Sequence, residues 1–534
     1  MTTVQSMPGG RASRLRLASR LRRLSAWLVA NATGRVTAPA MVIWFAALHA
    51  VLWTVCLMSL KAAQDVHMDV AEAYGWGQKF LLGYGKHPPL SGWIAGLWFM
   101  AFPVADWSTY ALAMATLAVA LVVCWHLACE VVDRRRAFAT VLMLAIYPVF
   151  NFKGFKYNAD LLQLAVLPLI VLAYLRAFEQ RTVRAGVWLG LAAVAGMMTK
   201  YWAVTVIGTV GLAALLDPDR VRFLRSPAPW VALVVLVVGM LPHVWWLVQV
   251  DFAPFAYADD VYVMPSRLSS AALAATYVGH YAALLAVPLL AAAAALAGPR
   301  RKRFWRDPAT NPAPIARGRA RSVWLMQAVL AAGPPLAAVA LAVHLKTDWG
   351  IPLFFMVPLS LVAWPRLEVR RRTLVGLAAI WLVFTLAVMV ASPSIARRGL
   401  KQTAEVGATS TPTAQFAEQL TQAWHQRFAT RWAVVAGFTE VGEPMTFYSP
   451  DHPVRFTPNE VWPSGLTTLE EAKRRGFIGI CDTGDNRLGE CEQWMKANAP
   501  DAERIEMSVR RFFRGAAGPL VRWEIFIAPP AALR

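Results

Sequence analysis

The chain has 534 residues, 57% of them hydrophobic and 16% charged, and its 53 Lys and Arg against 32 Asp and Glu leave a formal net charge of +21. Soluble domains carry roughly 25% charged and about 45 to 50% apolar residues, so this composition excludes an ordinary soluble protein, a disordered chain and a fibrous one, and reads as a polytopic membrane protein. The basic excess lies in short tracts between apolar runs, where it sets membrane orientation and meets anionic lipid; no nucleic-acid partner is expected.

Residues 1–37 form a basic arm that carries Arg11, Arg14, Arg16, Arg20, Arg22, Arg23 and Arg35 and no acid. The arm is expected in the cytoplasm, with Leu24–Ala32 as an interfacial helix. A cleaved secretory signal ending at Ala30-Asn31-Ala32 is the competing reading, and it would invert every later loop. The first span then runs over about 39–60. Later basic tracts at Arg134–Arg136, Arg176–Arg184, Arg220–Arg225, Arg300–Arg321 and Arg366–Arg372 share the arm's side if an even number of crossings separates neighbours.

That parity fixes the remaining spans. Three apolar runs, 39–60, 88–104 and 107–131, lie between Arg35 and Arg134, so one does not cross; the middle one opens with Pro88-Pro89 and carries Trp93 and Trp98, which suits the membrane interface. The run 185–216 would be about 48 Å long as one helix and is flanked by basic tracts, so it divides into two short spans with Thr199, Lys200 and Tyr201 at the outer turn. Further spans are expected near 137–152, 158–176, 228–249, 272–297, 322–343, 350–364 and 373–392, about eleven in all. The membrane domain is thus 38–396, with a first outer loop at 61–106, and the C-terminus lies outside.

Residues 397–534 have the composition of a soluble α/β domain. Thr411-Pro412 starts a helix with Phe416, Leu420 and Phe428 on one stripe; Thr467 with Glu470 is a capping box, and Gly476 a stop. Strands are expected at Arg431–Phe438, Met445–Ser449, Pro453–Thr457, Phe477–Asp482 and Val521–Ala528. Cys56, Cys124 and Cys129 sit in apolar runs as small hydrophobes, whereas Cys481 and Cys491, in the outer domain, form a disulfide if that domain faces an oxidising compartment.

With this topology the isolated acids and bases collect on the outer side. The first outer loop reads M-D-V-A-E-A-Y-G-W-G-Q and then G-Y-G-K-H-P-P-L, bringing His67, Asp69, Glu72, Lys86 and His87. Asp69 and Glu72 are three apart, so a helix presents both carboxylates on one face, where one accepts a proton and the other binds a cation or orients the first; a solvated helix start is the alternative. The next outer turn, N-F-K-G-F-K-Y-N-A-D, carries Lys153, Lys156, Asn158 and Asp160. Lysines there serve as snorkelling anchors or as ligands, while an acid opening a span needs a partner, hydration or a function. Two further turns add Lys200, and His344, Lys346 and Asp348; the loop between Asp251 and Arg267 adds Asp259, Asp260 and Tyr262. A divalent cation (Mg or Mn) could sit among His67, Asp69, Glu72, His87 and Asp160, although no strong metal spacing such as H-E-x-x-H occurs.

The D-x-x-E-A-Y-x-W loop with its G-Y-x-K-H-P-P-L continuation, the K-Y-N-A-D turn and the T-K-Y turn between two short spans resemble the bacterial relatives of the protein O-mannosyltransferases and of the lipid A aminoarabinose transferase. These are the family 39, or RgtA/B/C/D-like, glycosyltransferases of the GT-C fold, and the resemblance covers roughly residues 40–250. It implies a polytopic α-helical GT-C membrane protein ending in an outer α/β domain. It further implies transfer of a sugar from a polyprenyl-phosphate donor to a cell-envelope acceptor (lipid A or core, glycolipid, polysaccharide or protein) at the periplasmic face of the bacterial inner membrane. On this reading Asp69 is the first choice of general base and Glu72 its alternate or orienting partner. Lys86, His87, Lys156 and Lys200 meet the donor phosphate, and Asp160 and Asn158 orient the loop or bind a cation. Many relatives carry an acid where this chain has Ala71, and another where it has Lys86, so which of Asp69 and Glu72 takes the catalytic place stays open. Tyr74, Trp76, Tyr84 and Trp93 either stack on sugar or prenyl or anchor the loop at the interface. A transporter or flippase of an envelope lipid or glycan is the alternative from another class.

Overall fold

The computed structural model describes residues 39–297, 315–400, 411–438, 441–458 and 466–533, with the side chains of residues 257–261 and 533 left aside. The basic arm with Leu24–Ala32, most of the Arg-rich loop after residue 297 and the side chains of Asp259 and Asp260 lie outside the described residues.

Apolar runs of twenty residues or more become helices because in hydrocarbon every backbone polar group must find its partner within the segment. Among the described residues seven helices are long and apolar enough to cross a bilayer, Pro39–Leu60, Asp106–Val131, Ala159–Gln180, Pro227–Gln249, Arg267–Ala297, Arg317–Leu341 and Arg371–Leu400, and the shorter apolar helices are Leu90–Ala101, Val183–Thr199 and Tyr201–Leu216. Ala159–Gln180 is buried along most of its length and forms the centre of the bundle, whereas Pro227–Gln249 exposes Val234, Val237, Val238, Leu241, Trp245 and Val248 on an outer face. That outward apolar stripe suits lipid rather than water.

Two expected spans are corrected. The run 137–152 is a helix of only 13 residues, Arg134–Ile146, buried along most of its length and followed by a 3-10 turn at Pro148–Phe150; Pro148 lacks the N–H that would continue it. The run 350–364 is no single helix but a 3-10 turn (Thr347–Gly350), an irregular stretch and the six-residue helix Val357–Val362, since Pro352, Pro358 and Pro365 recur too closely for a long helix. The expected division of 185–216 holds, at the 3-10 turn Tyr201–Ala203. Leu90–Ala101, with 12 residues, is about 18 Å long and too short for a hydrocarbon core of roughly 30 Å.

Small residues allow close helix approach. A Cβ on Gly186 would stand 2.4 Å from the Ala228 carbonyl, and one on Gly96 2.5 Å from that of Gly77, so the outer-loop helix Met68–Gly77 lies directly against Leu90–Ala101.

The C-terminal domain, the outer domain of the expected topology, is a five-stranded mixed sheet in the order β2-β1-β3-β5-β4, with β1 Val434–Gly437, β2 Val454–Phe456, β3 Phe477–Asp482, β4 Glu503–Phe513 and β5 Ala516–Ala528. β1 runs parallel to β2 and β3, while β5 is antiparallel to β3 and β4. The helix Thr413–Arg427 packs Phe416 and Leu420 on one face of the sheet, with Phe428 at its edge. Met445–Ser449, expected as a strand, lies largely in the helix Gly442–Tyr448, where Thr446 Oγ1 donates to the Gly442 carbonyl four residues back; burial between the sheet and the membrane domain overrides the β-propensity of Thr446, Phe447 and Tyr448. The helix Leu469–Arg475 is capped by Thr468, one residue later than expected, and stops at Gly476 with φ +75°. Cys481 and Cys491 are joined by a disulfide.

This domain grips the first outer loop. Asp65 Oδ2 accepts from Thr413 Oγ1 (2.9 Å) and the Ala414 N–H (3.0 Å) and pairs with Arg511 at 2.5 Å. Tyr448 Oη accepts from the Val66 N–H at 2.7 Å and donates to Asp106 Oδ1 at 2.8 Å. Tyr74 packs edge-on against Phe99 and Phe447.

Candidate active site

The site grows from four chain turns at one end of the bundle. His67 caps the helix Met68–Gly77, its Nδ1 accepting from the Asp69 N–H at 3.2 Å, and sets Asp69 in the first turn, where the helix dipole favours an anion. Glu72 follows one turn on. At the start of the helix Ala159–Gln180, the Asn158 Oδ1 accepts from the Leu161 N–H at 2.9 Å while its Nδ2 donates to Asp69 Oδ2 at 2.8 Å. One amide side chain thus caps a central helix and holds the outer-loop carboxylate.

The charges are matched pair by pair. Lys86 Nζ stands 3.0 Å from Glu72 Oε1. Lys156 Nζ lies 2.6 Å from Asp348 and 3.4 Å from Asp69. Lys200, which ends the helix Val183–Thr199, donates to both carboxylate oxygens of Asp160 at 2.8 and 2.9 Å. Among the described residues Lys346 forms no ion pair; its ammonium lies over the Tyr262 ring at 5.5 Å from the centroid.

These groups enclose one cavity of about 210 Å³, whose lining includes Asp69, Glu72, Lys86, His87, Lys156, Asn158, Asp160 and Lys200, that is, all eight residues picked from the sequence. Trp76, Tyr262, Lys346, Asp348 and Trp349 line it as well. The sequence places Tyr262, Lys346 and Asp348 at the outer face without a role and does not single out Trp349. What it lacks is the distance across the bundle: the turn 344–350 is almost two hundred residues from Lys156, which it meets through Asp348. Other expected neighbours stay out of the lining. Lys153 lies 3.2 Å from His280 Nε2, Trp93 Nε1 donates to the Leu81 carbonyl, and Tyr84 stacks behind Trp76 at 5.0 Å. Of the four aromatics named in the loop, Trp76 alone lines the cavity.

Burial and pairing push the two carboxyls apart. Burial raises Asp69, but Lys156, His67 and the Asn158 amide more than offset it and hold the carboxyl well below its ordinary range. For Glu72 burial wins over Lys86 and Arg455, helped by Glu443 and Asp69, and its carboxyl sits above the usual range. Burial lowers Lys86 and Lys156, yet the facing acids outweigh it and both ammoniums are raised. His87 is held well below its ordinary value by burial and by Lys200 and Lys86, so it is neutral at pH 7. Asp69 is therefore an ionised acceptor facing a cavity lined with ammonium groups. Among the described residues no three His, Cys, Asp or Glu side chains come together as a metal site, and both Asp160 oxygens accept from Lys200.

The fold and the cavity define the class: a multi-pass membrane protein of the GT-C fold with a small C-terminal sheet domain. Over residues 86–246 the chain matches the family described as dolichyl-phosphate-mannose-protein mannosyltransferase, which bears out the resemblance carried by the loop motifs. It is 24% identical to the lipid A galacturonosyltransferase RgtD of Rhizobium johnstonii, over 39% of this chain and 44% of that protein, so the match spans less than half of the relative's length. In structure it is similar to ArnT from Cupriavidus metallidurans bound to undecaprenyl phosphate, with a TM-score of 0.58, 13% identity, and coverage of 91% of this chain and 98% of that one. The apo state of that protein superimposes equally, at a TM-score of 0.57 and 14% identity.

Proposed function

We propose that this protein is a glycosyltransferase that moves a sugar from a polyprenyl-phosphate donor to a cell-envelope acceptor, a glycolipid, lipid A or core, polysaccharide or protein. The observation that carries the reading is one cavity at the bundle's end that collects four carboxyl groups, Asp69 and Glu72 of opposite character among them, with four lysines. A lipid-linked donor suits that position: the prenyl chain stays in the bilayer while phosphate and sugar enter the cavity. RgtD and ArnT, with the lipid A and undecaprenyl phosphate of their names, are in keeping with it.

In the proposed reaction Asp69 takes the proton of the acceptor hydroxyl as its oxygen attacks the sugar's anomeric carbon. The bond from that carbon to the phosphate oxygen breaks, polyprenyl phosphate leaves, and the proton ends on Asp69. Lys86, Lys156 and Lys200, with the neutral His87 imidazole and Lys346, stabilise the charge growing on the leaving phosphate; such preorganised groups act most strongly where water is excluded. Asn158 aims Asp69, and Asp160 holds Lys200. The membrane would be the bacterial inner membrane, with the cavity and residues 397–534 on the periplasmic face and residues 1–37 inside; the Cys481–Cys491 disulfide fits an oxidising side. A transporter needs ionisable groups near the midplane, whereas here they gather at helix ends. Mass spectrometry of envelope glycans from a deletion strain tests the proposal: one envelope component should lose a single sugar and regain it with the wild-type gene but not with Asp69→Asn, and unchanged glycans would refute it.

A further inference from the structure

Two charged groups that this reaction does not use face Glu72 from the outer domain. Glu443, on the helix Gly442–Tyr448, is 2% exposed and is paired with Arg455 on β2, itself 9% exposed. The helix lies directly on the outer-loop helix: a Cβ on Gly75 would stand 3.7 Å from Thr446 Cγ2. Glu72, Gly75, Trp76, Glu443, Thr446 and Arg455 share a crevice of about 10 Å³, room for about one water. Glu443 Oε2 is buried without a hydrogen-bond partner among the described residues, and Gly442 leaves its Cβ space to the Arg455 stem, which would lie 2.7 Å from such an atom. An ion pair is thus threaded, nearly dry, onto the back of the catalytic loop.

We infer that the outer domain belongs to the catalytic machinery, with Arg455 and Glu443 acting as positioning residues that set the charge of Glu72 and, through it, how freely Lys86 meets the donor phosphate. The inference rests on the reading under Proposed function. Glu72 faces Lys86 across its own loop, Asp69 on its own helix, and Arg455 and Glu443 from the outer domain; Arg455 and Lys86 favour its ionised form, and burial, Glu443 and Asp69 oppose it. An ionised Glu72 competes with phosphate for Lys86 and repels it, so anion binding weakens as pH rises through the Glu72 titration. Removing Arg455 moves that titration up, and removing the Glu443 charge moves it down.

The test is the pH dependence of undecaprenyl phosphate binding to the full-length protein in detergent micelles, followed by Trp fluorescence from pH 5 to 9. Arg455→Met should raise the midpoint at which affinity falls by about one pH unit and Glu443→Gln should lower it by a similar amount, the usual size for one neighbouring charge. Arg455→Lys should restore the wild-type midpoint, and Glu72→Gln should remove the limb and make the other two substitutions silent. The phosphate's own ionisation, near pH 6, is common to all variants and cancels. A purely structural role moves both variants the same way or weakens binding without shifting the midpoint, and either result overturns the inference. If the wild-type protein does not bind undecaprenyl phosphate at all, the donor reading itself fails and this inference with it, an outcome distinct from binding that is present but unshifted.

Discussion

Replacing Asp69 by Asn should abolish transfer and leave the protein folded. The environment of residue 69 separates the two effects. Lys156 keeps Asp348 at 2.6 Å when the Asp69 charge goes, Asn retains an amide oxygen to accept from Asn158 Nδ2, and the backbone N–H still caps onto His67. No buried charge is orphaned, so the protein should stay folded, at a cost of about 1 to 3 kcal/mol for the charge-assisted contacts that are lost. Loss of a general base costs about 10²- to 10⁴-fold in rate, or roughly 3 to 5 kcal/mol of barrier. Because the Asp69 carboxyl lies below its ordinary range, its ion pair stabilises the fold fully above about pH 4, the unfolded value, and is lost only as pH falls through the lower folded one. Asp69 therefore contributes no acid limb between pH 5 and 8. The assay is sugar transfer from a polyprenyl-phosphate donor in proteoliposomes, read by mass spectrometry beside undecaprenyl phosphate binding. Turnover within a few fold of wild type would refute the base assignment; loss of activity together with binding and thermal stability would make Asp69 a structural residue instead.

Lys200→Met leaves Asp160 buried without its partner and should cost about 3 to 5 kcal/mol in the denaturant midpoint; adding Asp160→Asn should recover most of that stability but not activity. Gly96→Val places a side chain against the Gly77 carbonyl, so it should displace the outer-loop helix, expose the loop to protease and lower activity while the long helices stay intact by circular dichroism. Cys481 and Cys491 close a loop with a sequence separation of 10, for which the chain-entropy model gives about 3 kcal/mol; reductant or the double Ser variant should lower the outer domain's unfolding midpoint accordingly and leave detergent-solubilised helicity unchanged.

Much of the site was legible because the chemistry sits where the apolar pattern breaks. Asp69, Asp160 and Lys200 stand at helix ends, and a charge at the edge of an apolar run is visible in one dimension. The same logic divided 185–216 and kept 88–104 from crossing. It failed where proline, rather than polarity, ends a helix: 350–364 is apolar throughout, and Pro352 and Pro358 turn it into short pieces. In the outer domain, β4 was missed because the charged residues of Glu503–Phe513 alternate on an exposed strand that gains its place by pairing with β5. The stretch around Thr446 was misread because its helix exists to fill the space between two domains. Asp348 and Lys346 were seen as outer-face charges, but their meeting with Lys156 and Tyr262 depends on how distant helices pack.

The matched charges constrain the order in which a donor is received. Isolated ammonium groups beside hydrocarbon would be costly, and three of the four cavity lysines carry their own carboxylate. An arriving phosphate must therefore replace internal pairs rather than fill vacant positive sites. Lys200 donates to two oxygens of one carboxylate and Lys156 bridges two carboxylates, so both have much to lose on exchange. Among the described residues Lys346 has only an aromatic face to give up, and Lys86 is paired with Glu72, whose carboxyl burial raises. On the proposed reading the phosphate engages Lys346 and Lys86 first, leaving the Lys156–Asp69–Asn158 set in place to take the acceptor's proton. Lys346→Met should then raise the Kd for undecaprenyl phosphate more than tenfold with little change in stability, whereas Lys156→Met should weaken binding less and turnover more. Equal effects of the two on binding would refute that order.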